Sequence, residues 1–395
     1  MSMSNHDAKA KVAFYNRAEV RSAVFQIVVF VLLAIFFYNI YQNTLANMQA
    51  RGIKTGFSFM SAVSGFDILM SMIEYDSTST YGRTFVVGLL NTLLVSAISI
   101  VFATILGFII GVSRLSSNWL LSKVATVYVE IFRNIPLLVQ IIFWYSGVIL
   151  ISLPGIRDSL SLGNFLFFNV RGLYIPKIIW ENGAGIFGIS IIVAIVACIV
   201  ISRRAKKQQV LTGKQQPTLG INLGILIGLP LITFLAMGSP AALELPELKG
   251  FNFKGGSNLI PELVALVVAL SVYTSAFIAE AVRAGVQSVS HGQVEAARCL
   301  GLKESKVLRL VTVPQALRVI VPPLNSQYQN LIKNSSLAAA IGYPDLVAVF
   351  MGSTLNQTGQ AVEIVLMTML VYLSINLTLS TFMNWYNNKI KLKER

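Results

Sequence analysis

Hydrogen-bonding side chains recur at helical spacing within one otherwise apolar stretch. Asn325, Gln329 and Ser336 form one line, Ser326, Asn330 and Lys333 the next, and Gln327, Asn334 and Ser335 adjoin them. The opposite side carries Leu324, Tyr328, Leu331 and Ala338. Amides, hydroxyls and one ammonium are groups that can bind and pass on a polar solute. A helix this polar inside a membrane must face a wet cavity or another polar helix. Pro322 and Pro323 are expected to break its first turn and free backbone carbonyls, which is tolerated only in a protein-buried or wet setting. A path for a polar solute is therefore expected against residues 325–336.

A second set of residues carries charge. Glu130 and Arg133 lie three apart, as do Glu280 and Arg283, so each pair shares a helix face and is expected to close an ion pair. Gln140 follows the first pair and is a further candidate for the path. Residues for catalysis are lacking. No GxxxxGK[ST] phosphate loop occurs, and His6 and His291 stand alone. Cys198 and Cys299 suggest neither a disulfide nor a metal site. The chain is expected not to be an enzyme and to bind no cofactor or metal itself.

The elements that must position these residues follow from composition. The chain has 395 residues, 55% hydrophobic and 12% charged, about half the charge of a soluble domain. Several apolar runs near 20 residues then indicate membrane-spanning helices, and no strand-length alternation suggests a barrel. Eight spans are expected, at about 24–42, 84–112, 124–153, 185–202, 221–238, 260–282, from 319, and 361–386. A short re-entrant or outer piece is expected around 342–359. The Gly-broken segment RGIKTGFSFMSAVSGFDILM, after the first span, reads as a surface-lying helix. No cleavable signal peptide is expected, because the first span lacks a cleavage site after it.

Net charge is +14. Lys and Arg gather in short loops on one side, which the positive-inside rule places in the cytoplasm. That side collects the N-terminal tail, Arg114 and Lys123, the cluster SRRAKKQQVLTGK, the loop from His291 to Arg318, and KIKLKER. Both termini are thus expected in the cytoplasm. The excess charge then reflects the lipid bilayer as partner, and no nucleic acid is expected.

The loop His291–Arg318 is the longest polar passage of the second half. Gln293 to Leu300 forms helix readily, Gly301 supplies a stop, and Lys303–Val313 resumes a helical pattern before Pro314. Glu295-Ala296-Ala297, three residues, Gly301, and later Pro314 resemble the EAA motif of importer permeases of the ATP-binding cassette type, with Val311 and Val313 in place of Ile and Leu. The flanks FIAEAVRAGVQSVSHGQVEAARCLGL, PQALRVIVPPLNSQ and LIKNSSL, with YVEIFRNIPLLVQ and GLLNTLLVS, resemble the polar amino acid (histidine/arginine/glutamine) permeases. The inserted helix pair, VRGLYIP and the RGI–TGF region resemble the longer permeases of general L-amino-acid systems.

That resemblance implies an all-α membrane protein with a five-helix core over 84–153 and 260–386. Outside the core lie a tail (1–23), an extra helix and outer region (24–83), outer loops with the helix pair (154–259), and a basic end (387–395). It also implies a multi-pass protein of the bacterial cytoplasmic (inner) membrane and an ATP-driven importer of L-amino acids, with ATP and magnesium held by two copies of a partner ATPase. Gln293, Glu295, Ala296, Ala297, Gly301, Leu302 and Pro314, within a loop at 285–318, would then form the ATPase-docking surface. A periplasmic amino-acid-binding protein and a second, unlike permease subunit complete the implied assembly. Many relatives carry an acid where Asn334 stands, which argues against a dedicated arginine carrier. The alternative reading is an ion-coupled secondary transporter, which calls for an isolated buried carboxylate in a span and an internal repeat.

Overall fold

The computed structural model describes residues 18–50, 52, 55–163, 165–213 and 217–390. Most of the expected N-terminal tail (1–17), Arg51, Lys54, Lys214 and the last five residues of the basic end lie outside the described residues. The helices are α1 (Ala18–Ala50), α2 (Tyr81–Ser113), α3 (Trp119–Asn134), α4 (Leu137–Ile142), α5 (Ala184–Thr212), α6 (Thr218–Ala236), α7 (Pro261–Gln287), α8 (His291–Cys299), α9 (Glu304–Val307), α10 (Val313–Asn334), α11 (Leu355–Thr358) and α12 (Ala361–Ile390). Among the described residues, seven helices are long and apolar enough to cross a membrane, or eight when the bent pair following α2 counts as one span.

The core forms where α2 and α7 run side by side in the same direction. Ser271 Oγ donates to the Ser99 carbonyl at 3.4 Å. Further along, a Cβ added at Gly107 would lie 2.6 Å from Ile278 Cβ, and one at Gly111 would lie 2.7 Å from Val282 Cβ. Only glycine admits this approach, which is how helices gain packing where no hydrophobic driving force separates them from lipid. α10 crosses back along α7, with Ile320 seated at Gly285, and α12 returns beside α10. The share of the most apolar window that is buried is 61% for α7 but 0% for α1 and α6. α7 is the centre; α1 and the α5–α6 hairpin are appended at its periphery.

Four expectations change. The span expected at 124–153 is two half-helices bent by 105°. Ile135 is extended (φ −96°, ψ 129°) ahead of Pro136, as the residue before proline prefers. The polar span does not start near 319: it is helical from Glu304 to Ile341, with Pro322 and Pro323 inside α10. A π-helical turn, Leu308–Thr312, absorbs the register change ahead of Pro314. Pro322 and Pro323 are exposed while Ile320, Val321 and Leu324 are buried, so packing on the inner side holds the helix through them.

The segment after α1 is not a surface helix. Apart from one 3₁₀ turn, Ser58–Ser61, it runs irregularly over the core. Gly56 and Gly65 take positive φ of 102° and 71°, and Phe59 is buried beside Tyr81 and Phe350. The outer loops hold short strands. β1 (Leu160–Leu162), β2 (Leu166–Asn169), β3 (Gly172–Ile175), β4 (Lys177–Trp180), β5 (Ala241–Glu244), β6 (Glu247–Lys249), β7 (Asn252–Lys254) and β8 (Ser257–Leu259) pair antiparallel in the orders β1-β2-β3-β8, β4-β5 and β6-β7. The β4–β5 pair closes the base of the α5–α6 hairpin, where Trp180 pairs with Ala241.

The α2–α7 approach generates a test. Gly107→Leu should destabilise the fold by about 1–3 kcal/mol or more through overpacking, read as a lowered melting temperature of the detergent-purified protein. Gly185→Leu, where nothing lies within 4 Å of an added Cβ, should leave it unchanged. Equal melting temperatures would show that α2 and α7 do not meet at Gly107.

Candidate functional site

α8 and the polar face of α10 are parts of one construction. α8 ends because Gly301, at φ +73°, closes a Schellman motif: its N–H donates to the Arg298 carbonyl at 2.8 Å and that of Leu302 to the Ala297 carbonyl at 3.4 Å. Arg298 Nε reaches across the turn to Glu304 Oε1 at 2.7 Å, tying α8 to the start of the next helix. Ala297 is buried, whereas Gln293, Glu295, Ala296 and Gly301 are exposed, and Leu302 and Pro314 are half-buried. α8 therefore presents a small-residue, mostly free face at one end of the bundle.

From Lys303 the chain rises without a break to Asn334. There Gln327, Asn330, Lys333 and Asn334 of α10 meet Tyr273, Thr274 and Phe277 of α7 around a cavity of ≈ 310 Å³. Lys333 also borders a cleft of ≈ 290 Å³ against α12, with Gln329, Tyr372 and Asn376. Lys333 is exposed and belongs to no ion pair found among the described residues. Hydrogen bonds within α10 order the neighbours: Gln329 Nε2 donates to Asn325 Oδ1 at 3.1 Å and Ser336 Oγ to the Lys333 carbonyl at 2.7 Å. Ser335 is fully buried, its hydroxyl donating to the Ile332 carbonyl at 2.7 Å. The polar residues thus divide: three predicted amides line the cavity, Gln329 faces the second cleft, and Ser335 points into the core.

Gln140 is elsewhere. It is buried, and its Nε2 donates to the carbonyls of Phe132 and Ile135, both at 3.0 Å. Those are the carbonyls left without helical partners by the bend at Pro136, so this amide staples the two half-helices rather than facing the cavity. Glu130 and Arg133 do not pair, contrary to expectation. Asn134 Nδ2 donates to the Glu130 carbonyl at 2.6 Å, while Arg133 stacks over Phe277, 5.3 Å from the ring centroid, and approaches Glu280 at 3.9 Å. Helix α3 turns Arg133 inward to α7, and Glu130 stays exposed.

Glu280 and Arg283 do pair, but as part of a larger group. The Glu280 carboxylate accepts from Arg283 and from Arg114 at the end of α2. One carboxylate therefore gathers three guanidinium groups from α2, α3 and α7. Because Phe277 lines the cavity and Arg133 lies against it, the cluster abuts the cavity wall.

Sequence reasoning missed Tyr273, Thr274 and Phe277, whose signal was a polar–aromatic run, VYTSAF, inside an apolar span. It also missed Asp345, which is fully buried. Its Oδ1 accepts the Ala348 N–H at 2.8 Å and its Oδ2 the Tyr372 hydroxyl at 3.4 Å. Asn91 donates to the carbonyls of Met70 and Pro344, both at 2.9 Å, and Thr92 Oγ1 accepts the Leu346 N–H at 3.0 Å. Asp345 is a buried carboxylate of the kind an ion-coupled transporter would need, yet both oxygens hold the turn after α10 in place.

Comparison with known proteins agrees with this architecture. Residues 219–392 match the family described as binding-protein-dependent transport system inner membrane component. The putative amino-acid ABC transporter permease protein YhdX of Escherichia coli (strain K12) is 52% identical over 395 residues, the whole of both chains. The general L-amino acid transport system permease protein AapQ of Rhizobium johnstonii is 50% identical over 375 residues, covering 95% of this chain and 93% of that one. The glutamate/glutamine/aspartate/asparagine transport system permease protein BztB of Rhodobacter capsulatus is 41% identical over 407 residues, covering 95% of each chain. The protein is thus a multi-pass membrane permease, and it belongs to the permease subunits of amino-acid ABC importers. Such subunits are not themselves catalytic, and the family implies ATPase and binding-protein partners.

Gln140→Leu should leave the Phe132 and Ile135 carbonyls without their donor at the bend and cost about 1–3 kcal/mol. Its melting temperature should fall, while Gln140→Glu at low pH, where the neutral acid can donate one bond, should recover part of the loss. No loss in the leucine variant would remove the staple role.

Proposed function

We propose that ATP binding and hydrolysis take place in two partner ATPase subunits, which hold the nucleotide and magnesium and grip this chain at α8. Gln293, Glu295, Ala296, Ala297, Gly301 and Leu302 form the docking surface there, and Pro314 lies where the motion enters α10. The observation that carries this reading is the uninterrupted helix from Glu304 to Ile341. From its start to Asn330 it spans roughly 40 Å at 1.5 Å per residue. A displacement of α8 therefore reaches the cavity-lining amides through a packed rod, with Arg298–Glu304 holding the joint. α8 faces the cytoplasm, as do both termini, and the β-sheets face the periplasm, where a binding protein delivers substrate. Alternating access about the cavity follows the general logic of such transporters.

The cavity of this subunit holds the substrate in this reading. Lys333 offers a cation to the α-carboxylate common to amino acids, and Gln327, Asn330 and Asn334 hydrogen-bond the variable part in either sense. Amides tolerant of donors and acceptors support broad specificity, in keeping with the named substrates of the relatives. A second, unlike permease subunit closes the path from the other side.

In proteoliposomes containing the whole transporter, Lys333→Gln should raise the KM for uptake about 10–100-fold, the value of one charge-assisted hydrogen bond, with ATPase association intact. Glu295→Lys and Gly301→Val should instead abolish uptake and release the ATPase without impairing membrane insertion; a side chain at φ +73° costs about 1–2 kcal/mol. Normal ATPase retention and uptake in both loop variants would refute the docking role. Uptake that survives a hydrolysis-dead ATPase would refute the drive itself.

A further inference from the structure

The α5–α6 hairpin lines neither the cavity nor the α8 surface. Its two helices pack on each other: Thr233 Oγ1 donates to Ser190 Oγ at 2.8 Å, Phe187 meets Phe234 at 5.4 Å, and Cys198 Sγ donates to the Asn222 carbonyl at 3.3 Å. The remaining apolar sides, including Ile189, Ile192, Val196, Leu223 and Ile227, are exposed and in a bilayer meet lipid. The two helices differ in length. α6 has 19 residues, about 28 Å, which matches a hydrocarbon core of about 30 Å. α5 has 29 residues, about 44 Å, and overhangs it.

The register shows where the overhang begins. Asn222 Nδ2, one turn into α6, donates to Ser202 Oγ at 2.7 Å, so residues after Ser202 leave the apolar depth at the end opposite the β-sheets. The next residues are Arg203, Arg204, Lys206 and Lys207, all exposed, around a buried Ala205. Arg203, Lys206 and Lys207 are three and four apart and share a face. None of the four has an ion-pair partner among the described residues. Nor does the hairpin supply one: between Glu181 and Glu244 the chain has no Asp or Glu.

We propose that this end of the hairpin is a binding site for anionic lipid headgroups, whose phosphates the four cations hold at the membrane surface. Lipid rather than protein is the occupant because the cations continue directly from a surface that lipid already coats, at the depth of the headgroups. Basic clusters immediately beyond a spanning helix act in this way. The inserted pair would thereby fasten the edge of the permease to the charged leaflet, leaving the core free to rock.

The assembled transporter in nanodiscs of mixed phosphatidylglycerol and phosphatidylcholine, extracted in mild detergent, should retain phosphatidylglycerol preferentially by native mass spectrometry. The variant R203Q/R204Q/K206Q/K207Q should lose that preference by about tenfold or more, and high salt should weaken it in the parent. A charge-matched control, R157Q/K177Q/K249Q/K254Q, should keep it. Should the fourfold variant fail to insert, R203Q/K207Q and R204Q/K206Q provide graded versions of the same readout. Undiminished phosphatidylglycerol in the variants overturns the proposal. So does loss of the ATPase with lipid retention unchanged, which would assign the patch to a protein partner, or full displacement of the lipid by inorganic phosphate.

Discussion

The close approach of α2 and α7 governs the rest of the molecule. Two glycines, Gly107 and Gly111, let Ile278 and Val282 sit against the backbone of α2. That contact leaves the facing surface of α7 to α10, and the cavity is the space remaining between them. Where the two parallel helices end together, Arg114 and Glu280 meet, and the ion cluster locks the register that the glycines permit. A small-residue contact in the apolar depth and a charged contact at its edge suit their settings, since a charge placed among apolar groups would cost far more than it returns.

The chain then meets the opposite requirement: backbone that departs from helix inside a membrane must have its polar groups answered. The bend at Pro136 is answered by Gln140, and the turn at residues 342–346 by Asn91, Thr92 and Asp345. Gln140, Asn91 and Thr92 are buried side chains carried on helices, while Asp345 lies in the turn itself and accepts from the helical segment that follows. Polar residues in these spans thus do two kinds of work: some answer irregular backbone, and Gln327, Asn330 and Asn334 line the cavity.

Mechanically, α8 and the cavity are connected by geometry rather than proximity. Gly301 allows a sharp turn, Arg298 and Glu304 brace it, and the helix beyond is continuous through three prolines. The π-helical turn before Pro314 keeps the rod whole while adjusting the face it presents. α1 and the α5–α6 hairpin share almost none of this packing, so the core can be regarded as a unit to which they are attached.

Much was legible in the sequence because its causes are local. Apolar length sets the spans, the charge bias separates the two ends, and Gly301 after a helix-forming run marks the end of α8. The residues around Glu295 and Gly301 carry the resemblance to the family to which the full-length relatives assign the chain. Even the face of α10 could be read, since helical spacing places Leu324, Tyr328 and Leu331 together. Tertiary structure alone decided which partners those residues meet. Glu130 and Arg133 have the spacing of a pair, yet α3 is bent toward α7 and Arg133 turns to Phe277 and Glu280. Gln140 looked like a solute ligand until the Pro136 bend supplied carbonyls for it. Pro322 and Pro323 looked like a break, but buried neighbours hold the helix through them. Spacing along a chain fixes which side chains share a face; what lies opposite that face depends on how the chain bends and on which other elements pack there.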